Sequence, residues 1–346
     1  MTVAAVSARR RGIGLGPFVA VSSLALLAAC WFAMAIGDIG VHPFTVLQVL
    51  ANRLFGATYV IDPIQEGIVW HYRLSRAVIA ACAGGILALC GVVLQALLRN
   101  PLAEPYLLGI SAGASTGAAA VIVLGLGSFT LGLAGGAFSG AALAFLFVAA
   151  LAGRSGGGTE RIILAGIAGS QLFNAATAFI ITSSANAEQT RGVMFWLLGS
   201  LGGVRWADAT LAVPAVVIGT AFCLFRARAL DAFTFGETAA STMGVDTRRV
   251  RLELFGLAAL LTASVVAVVG AIGFVGLVIP HAVRLVMGGR HHRLIPATVV
   301  SGAVFLVLAD ILARVILPGQ VLPIGVVTAL FGAPVFAAML WTTQRQ

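Results

Sequence analysis

Apolar residues run through this chain in long blocks, each broken by a short stretch of arginine, glycine, proline or asparagine. Ten such blocks emerge, over residues 16–37, 75–98, 107–125, 129–152, 161–183, 207–226, 250–269, 275–288, 295–315 and 322–341. A bilayer core roughly 30 Å thick takes about 20 predominantly apolar residues per helix. The pattern therefore predicts an all-α polytopic membrane protein with about ten transmembrane helices, the eighth being the shortest. The first block follows Arg9-Arg10-Arg11 and reaches Ala33-Met34-Ala35, which resembles a signal-peptide cleavage site. Its apolar run exceeds the roughly 7–15 residues of a signal core, which favours a membrane helix.

Two connections are too long to be turns. Residues 38–72 contain His42-Pro43-Phe44-Thr45 followed by Val46-Leu47-Gln48-Val49-Leu50, a short interfacial helix opened by a Thr/Pro cap. Residues 227–249 carry Asp231, Gly236, Glu237, Thr238, Met243, Gly244 and Asp246. That segment is too polar to cross and too short for a catalytic domain, so it reads as a docking surface or a plain solvated loop. Glycine sets the packing: Gly109, Gly113 and Gly117, and again Gly132, Gly136 and Gly140, recur every four residues, the spacing that lets helix backbones approach closely in lipid. Gly270, Gly273 and Gly276 followed by Pro280 predict irregular backbone at membrane depth, as do Asn100-Pro101, Glu104-Pro105 and Leu322-Pro323-Ile324-Gly325.

Composition sharpens this. The chain is 60% hydrophobic and 10% charged, which excludes a water-soluble monomer. All 21 basic residues are arginine, so a Walker-A phosphate loop, a Schiff base and a lysine general base are excluded. The net charge of +9 does not point to nucleic acid, because the arginines are dispersed between apolar blocks. With ten crossings and a cytoplasmic N-terminus, 15 of the 21 arginines fall inside, which places both termini in the cytoplasm and leaves Arg53, Arg73, Arg76, Arg191, Arg205 and Arg314 outside. Cys30, Cys82, Cys90 and Cys223 sit in apolar runs without metal or redox spacing.

Polar groups within the spans are candidates for chemistry. Asp310 and Arg314 share a helix face and can neutralise one another. Gln171, Asn174 and Thr177 form a stripe on the fifth span, which lines a pathway or bonds a neighbouring helix. His281 and Arg284 are a turn apart, and His291 and His292 are adjacent, with no acid or thiol close in sequence to complete a metal site. An ion-coupled transporter would show unpaired acids in its spans, and an intramembrane hydrolase would need a nucleophile beside a base; neither pattern is present.

Several segments resemble the FecCD family: Arg73-Leu74-Ser75-Arg76; Gln95 with Arg99-Asn100-Pro101-Leu102-Ala103-Glu104-Pro105; Leu108-Gly109-Ile110-Ser111-Ala112-Gly113-Ala114; Phe195-Trp196-Leu197-Leu198-Gly199-Ser200-Leu201; Gly273 through His281; and Leu322-Pro323-Ile324-Gly325 through Phe336. These are permease subunits of ABC importers for ferric siderophores, heme and vitamin B12. The resemblance implies a type II ABC importer permease fold over residues 1–346, with residues 38–72 periplasmic and residues 227–249 a cytoplasmic coupling region. It implies a bacterial inner-membrane location, a second permease copy, two ATP-hydrolysing subunits and a periplasmic binding protein. On it, the chain holds no catalytic residue, cofactor or metal, and ATP is hydrolysed by the partner subunit. Gly236, Glu237, Ala240 and Gly244 would form the coupling helices, and Arg73, Arg76 and Arg314 would receive glutamates of the binding protein. The pathway would run between the fifth and tenth helices, past Gln171, Asn174 and Thr177. The cargo expected is an iron chelate, with cobalamin as the alternative. The family usually has proline where Ser75 stands, which predicts a less rigid turn there.

Overall fold

The computed structural model describes residues 14–37, 39–125, 132–154, 159–184 and 186–343. Arg9, Arg10, Arg11 and Arg345, which enter the charge count, lie outside these, as does Asp38.

In chain order the helices are α1 (Leu15–Ala35), α2 (Pro43–Phe55), α3 (Pro63–Gly67), a π-helical stretch (Ile68–Leu74), α4 (Ser75–Leu98), a 3-10 turn (Pro105–Leu108), α5 (Ile110–Leu124), α6 (Gly132–Arg154), α7 (Thr159–Ser184), α8 (Ala187–Leu197), α9 (Trp206–Phe225), α10 (Ala227–Thr234), α11 (Glu237–Thr242), α12 (Thr247–Val269), α13 (Val275–Met287), α14 (His291–Val315) and α15 (Ile324–Thr343). Seven are long and apolar enough to cross a bilayer, and α5, α13 and α15 are shorter apolar helices; together they match the ten blocks. The short helix expected within residues 38–72 is α2. Pro43 opens it, His42 Nδ1 accepts from the Phe44 N–H at 3.2 Å, and Gly56 in the left-handed region closes it. One of its faces buries Val46 and Val49 while Phe44, Leu47 and Leu54 stay exposed.

α4 is the axis of the bundle and is buried along nearly its whole length, packed by α9, α12, α13 and α14. Small residues make this possible. A Cβ at Gly84 would collide with the Gly302 carbonyl of α14, and one at Gly91 with the Gly276 carbonyl of α13. Four of the six glycines of the predicted ladder join α5 to α6 in the same way, Gly113 against Gly140 and Gly117 against Gly136, whereas Gly132 meets nothing and Gly109 lies against α7 and Val148.

Two expectations need correction. No turn exists at Ser75: residues 63–98 form one continuous helix, and Ser75 Oγ donates back to the His71 carbonyl at 2.7 Å. The irregular segment after α12 stops at Phe274, and Pro280 lies inside α13. That proline removes the hydrogen bond owed to the Gly276 carbonyl, and Gln95 Nε2 of α4 donates to that carbonyl at 3.2 Å instead. A helix outside the ten blocks, α8, is opened by a reciprocal capping box between Asn186 and Gln189.

Where helices break at membrane depth, the breaks satisfy one another. Ser200 N donates to Val269 O at 2.8 Å, Ile324 N to Gly199 O and Gly325 N to Leu198 O, both at 3.0 Å. Tyr106 Oη donates to Ile272 O at 2.7 Å and accepts from Ile272 N at 2.6 Å. Non-helical backbone is tolerated in a bilayer on this condition.

Candidate functional site

Three regions collect the residues singled out from the sequence. The first lies at the α2 end of the bundle. Arg76 is in the first turn of α4, Arg73 is on the π-helical stretch, and Asp310 and Arg314 are one turn apart on α14. Because Gly84 and Gly302 bring α4 and α14 together, Arg76 reaches Asp310: its Nη2 lies 2.7 Å and its Nε 2.8 Å from Oδ1. Arg314 Nε lies 3.2 Å from Oδ2 of the same carboxylate. Arg76 is 2% and Asp310 1% exposed. The expected Asp310–Arg314 pair is therefore one half of a buried triad.

Arg73 and Arg314 also close α1. Arg73 Nη1 donates to the carbonyls of Met34 at 2.8 Å and Ala35 at 3.1 Å, and Nη2 donates to that of Ile39. Arg314 Nη1 donates to the carbonyls of Ala33 at 3.0 Å and Ile36 at 2.9 Å. A helix ends with orphan carbonyls and a partial negative charge, so two guanidinium groups there satisfy both needs. All three arginines line a cavity of about 250 Å³ with Ile39, Ile68, Tyr72 and Val321. Arg76 and Arg314 share the Asp310 carboxylate, and among the described residues Arg76 Nη1 is buried without a hydrogen-bond partner. Arg53, by contrast, pairs with Glu66 at 2.7 Å in the open.

The second region is the opposite end, at α10 and α11. The turn between them is Gly236, at φ 105°, a conformation open to glycine alone among common residues. Glu237 opens α11 and accepts from Arg251 Nη2 of α12 at 2.6 Å. Ala240 is fully buried, and Gly244 at φ 83° ends the segment. Phe235 and Met243 project into the open on either side. Contacts between separate helices hold this segment in place. Glu253 accepts from Arg226 at 2.5 Å and from Arg249 at 3.0 Å, and Asp231 accepts from His291 N at 2.9 Å and lies 2.7 Å from His291 Nδ1. The Arg249–Glu253 spacing of four was a legible signal; the partners joined across separate helices were not.

The third region is the polar stripe of α7. Gln171 and Asn174 are exposed, whereas Thr177 is buried against α5, 2.9 Å from Thr116 Oγ1. Where the three helix breaks meet lies a cavity of about 460 Å³, lined by Leu198, Gly273, Phe274, Gly325 and Leu330 among others. Its walls offer apolar side chains and no charged group. Among the described residues no group of three His, Cys, Asp or Glu is placed to hold a metal ion.

Residues 25–342 match the FecCD transport family. The chain belongs to that family. A cobalamin import system permease protein, BtuC, of Halobacterium salinarum is 42% identical over 274 residues, covering 79% of this chain and 73% of that protein. The Fe(3+) dicitrate permease FecD of Escherichia coli is 35% identical over 273 residues, covering 79% and 85%. A solved ABC transporter assigned to the metal-chelate type, in an inward-facing conformation, superposes with a TM-score of 0.81 at 30% identity, covering 94% of this chain and 99% of that one. As a FecCD chain, this protein is a multi-span inner-membrane permease of an ABC importer with the type II importer fold. In this family the ATPase activity sits on a separate subunit, which agrees with a sequence that has no lysine for a phosphate loop.

Proposed function

We propose that this FecCD permease conducts a bulky metal chelate from a periplasmic binding protein to the cytoplasm, driven by two ATP-hydrolysing partners beneath a permease dimer. The arginine distribution supports placing the α2 end in the periplasm and the α10–α11 end and both termini in the cytoplasm. Residues 38–72 are then the periplasmic loop, and residues 227–249 the coupling region of a single permease domain. The observation that carries the reading is the cavity of about 250 Å³ under Arg73, Arg76 and Arg314, a concave cationic socket at the periplasmic end. An acidic side chain from a binding protein fits it, because Arg76 Nη1 has a donor to spare and a buried guanidinium meets a carboxylate with charge-assisted bonds. At the other end Gly236, Glu237, Ala240 and Gly244 shape a short helical knuckle that suits a groove of an ATPase. Gln171 and Asn174 face outward on α7 and can line the pathway beside α15, with Thr177 supporting them from within.

Ferric chelates and cobalamin are the two cargo classes, and the 42%-identical relative named for cobalamin makes cobalamin the first to test. The test is uptake by vesicles holding the permease, its ATPase and its binding protein. Cyanocobalamin or a ferric siderophore accumulates only with ATP inside; accumulation driven by an ion gradient alone overturns the reading. Socket docking is tested by Val321→Glu, which adds a negative charge at the half-exposed rim without touching the arginines' internal bonds. Binding-protein affinity falls at least tenfold while ATP turnover without binding protein is unchanged; equal affinity refutes docking there.

A further inference from the structure

A second cationic cavity lies at the α10–α11 end, and neither the cargo pathway nor the docking socket uses it. It measures about 650 Å³ and opens between the end of α4, the end of α10 and the turn from α13 into α14. Arg99, Arg284 and Arg290 line it, with Asp231 the only acid among its lining residues. The backbone N–H and Nδ1 of His291 both meet one oxygen of that carboxylate, Oδ1. Among the described residues the three guanidinium groups have no carboxylate partner; Arg284 donates to Gln95 Oε1 at 3.1 Å, a neutral acceptor. His291, 2% exposed and part of the wall, keeps Nε2 buried without a hydrogen-bond partner. Three guanidinium groups against one carboxylate leave a net positive charge around a cavity of ligand size, which suits an anion. Arginine's planar fork matches phosphate oxygens two at a time.

We infer that this cavity is a phosphate-binding site in which Arg99, Arg284 and Arg290 hold one phosphate group. Two sources share that chemistry. An anionic phospholipid headgroup fits because Phe235 and Leu285, exposed at the same end, supply the apolar flank that basic pockets between membrane helices use for such lipids. A free phosphate ion fits the same three arginines. Binding has a mechanical consequence. Arg99 stands in the left-handed region at φ 47°, and its guanidinium packs over Gly236, where a Cβ would come within 3.2 Å of Nη1. An anion that fixes Arg99 also fixes the turn between α10 and α11.

The experiment uses the full chain in phosphatidylcholine nanodiscs, titrated in one arm with inorganic phosphate and in the other with increasing cardiolipin in the disc. Amide hydrogen exchange over residues 235–243 is the readout. Exchange slows with ligand, and the exposed-site double variant Arg99→Gln/Arg290→Gln weakens the midpoint at least tenfold, whereas Arg99→Lys/Arg290→Lys retains much of it. Slowing in the cardiolipin arm alone assigns the headgroup; slowing in the phosphate arm alone assigns the free ion. No slowing in either arm, or slowing indifferent to Arg99→Gln/Arg290→Gln, overturns the site. So does a double variant that loses only its hold on the ATPase subunit, which would make these arginines the seat of an acidic protein surface.

Discussion

Asp310 sits between two guanidinium groups, and the energetics of such a site depend on what is removed. Two buried charges lose several kcal/mol of hydration each, and the loss is recovered only while the partners face one another. Asp310→Asn takes from Arg76, buried with its Nε and Nη2 on that carboxylate, the counter-charge it bonds, so unfolding in detergent is expected to show a loss of about 3–5 kcal/mol. Glu66→Gln, which breaks the exposed Arg53 pair, is expected to cost about 0–1 kcal/mol in the same assay. Comparable losses in both variants would show that Asp310 carries no special burden. Arg314 was legible as its partner because four residues on a helix make one turn. Arg76, 234 positions away and the closer of the two, was not, because sequence spacing carries no information about which helices pack. Gln95 shows the same limit: its role, answering the carbonyl released by Pro280, exists only once α4 and α13 touch.

At the scale of the element, lipid simplifies the sequence signal. A spanning helix must satisfy its backbone internally and present about 20 apolar residues, so the seven long spans were readable from hydropathy, and the three shorter apolar helices showed as blocks in the same pattern. α8 was not, since its amphipathic pattern falls outside an apolar-block search, although Asn186 and Gln189 spell a capping box. Glycine spacing foretold close packing of α5 on α6, but the glycines of α4 mattered as much and follow no simple ladder. Gly91 rests on the Gly276 carbonyl, while Gly67 faces open space in the same continuous helix. Gly91→Ala must push α4 and α13 apart and is expected to lower thermal stability by several degrees. Gly67→Ala adds a methyl group where nothing stands in its way and is expected to be neutral or slightly stabilising. A Gly91→Ala protein as stable as the parent would mean that the α4–α13 approach is looser than the backbone distance implies.

At the scale of the molecule, the two charged ends are joined by one rod. α14 runs 25 residues, about 37 Å at 1.5 Å per residue, from His291 against Asp231 of α10 to Asp310 and Arg314 under the docking socket. It is packed along α4 through Gly302 and carries Pro296 one turn beyond its start. On the proposed reading, in which the ATPase grips α10 and α11 and the binding protein docks over Arg76 and Arg314, displacement of that segment would reach α14 through the Asp231–His291 contact and pass along it. Asp231→Ala severs the link at the inner end without touching the arginines at the outer one. Binding-protein stimulation of ATP turnover is then expected to fall severalfold, with docking affinity unchanged and with a stability loss of about 0.5–2 kcal/mol from the missing helix cap. The decisive quantity is the ratio of stimulated to unstimulated turnover, because a merely structural contact would lower both rates together and leave that ratio where it was.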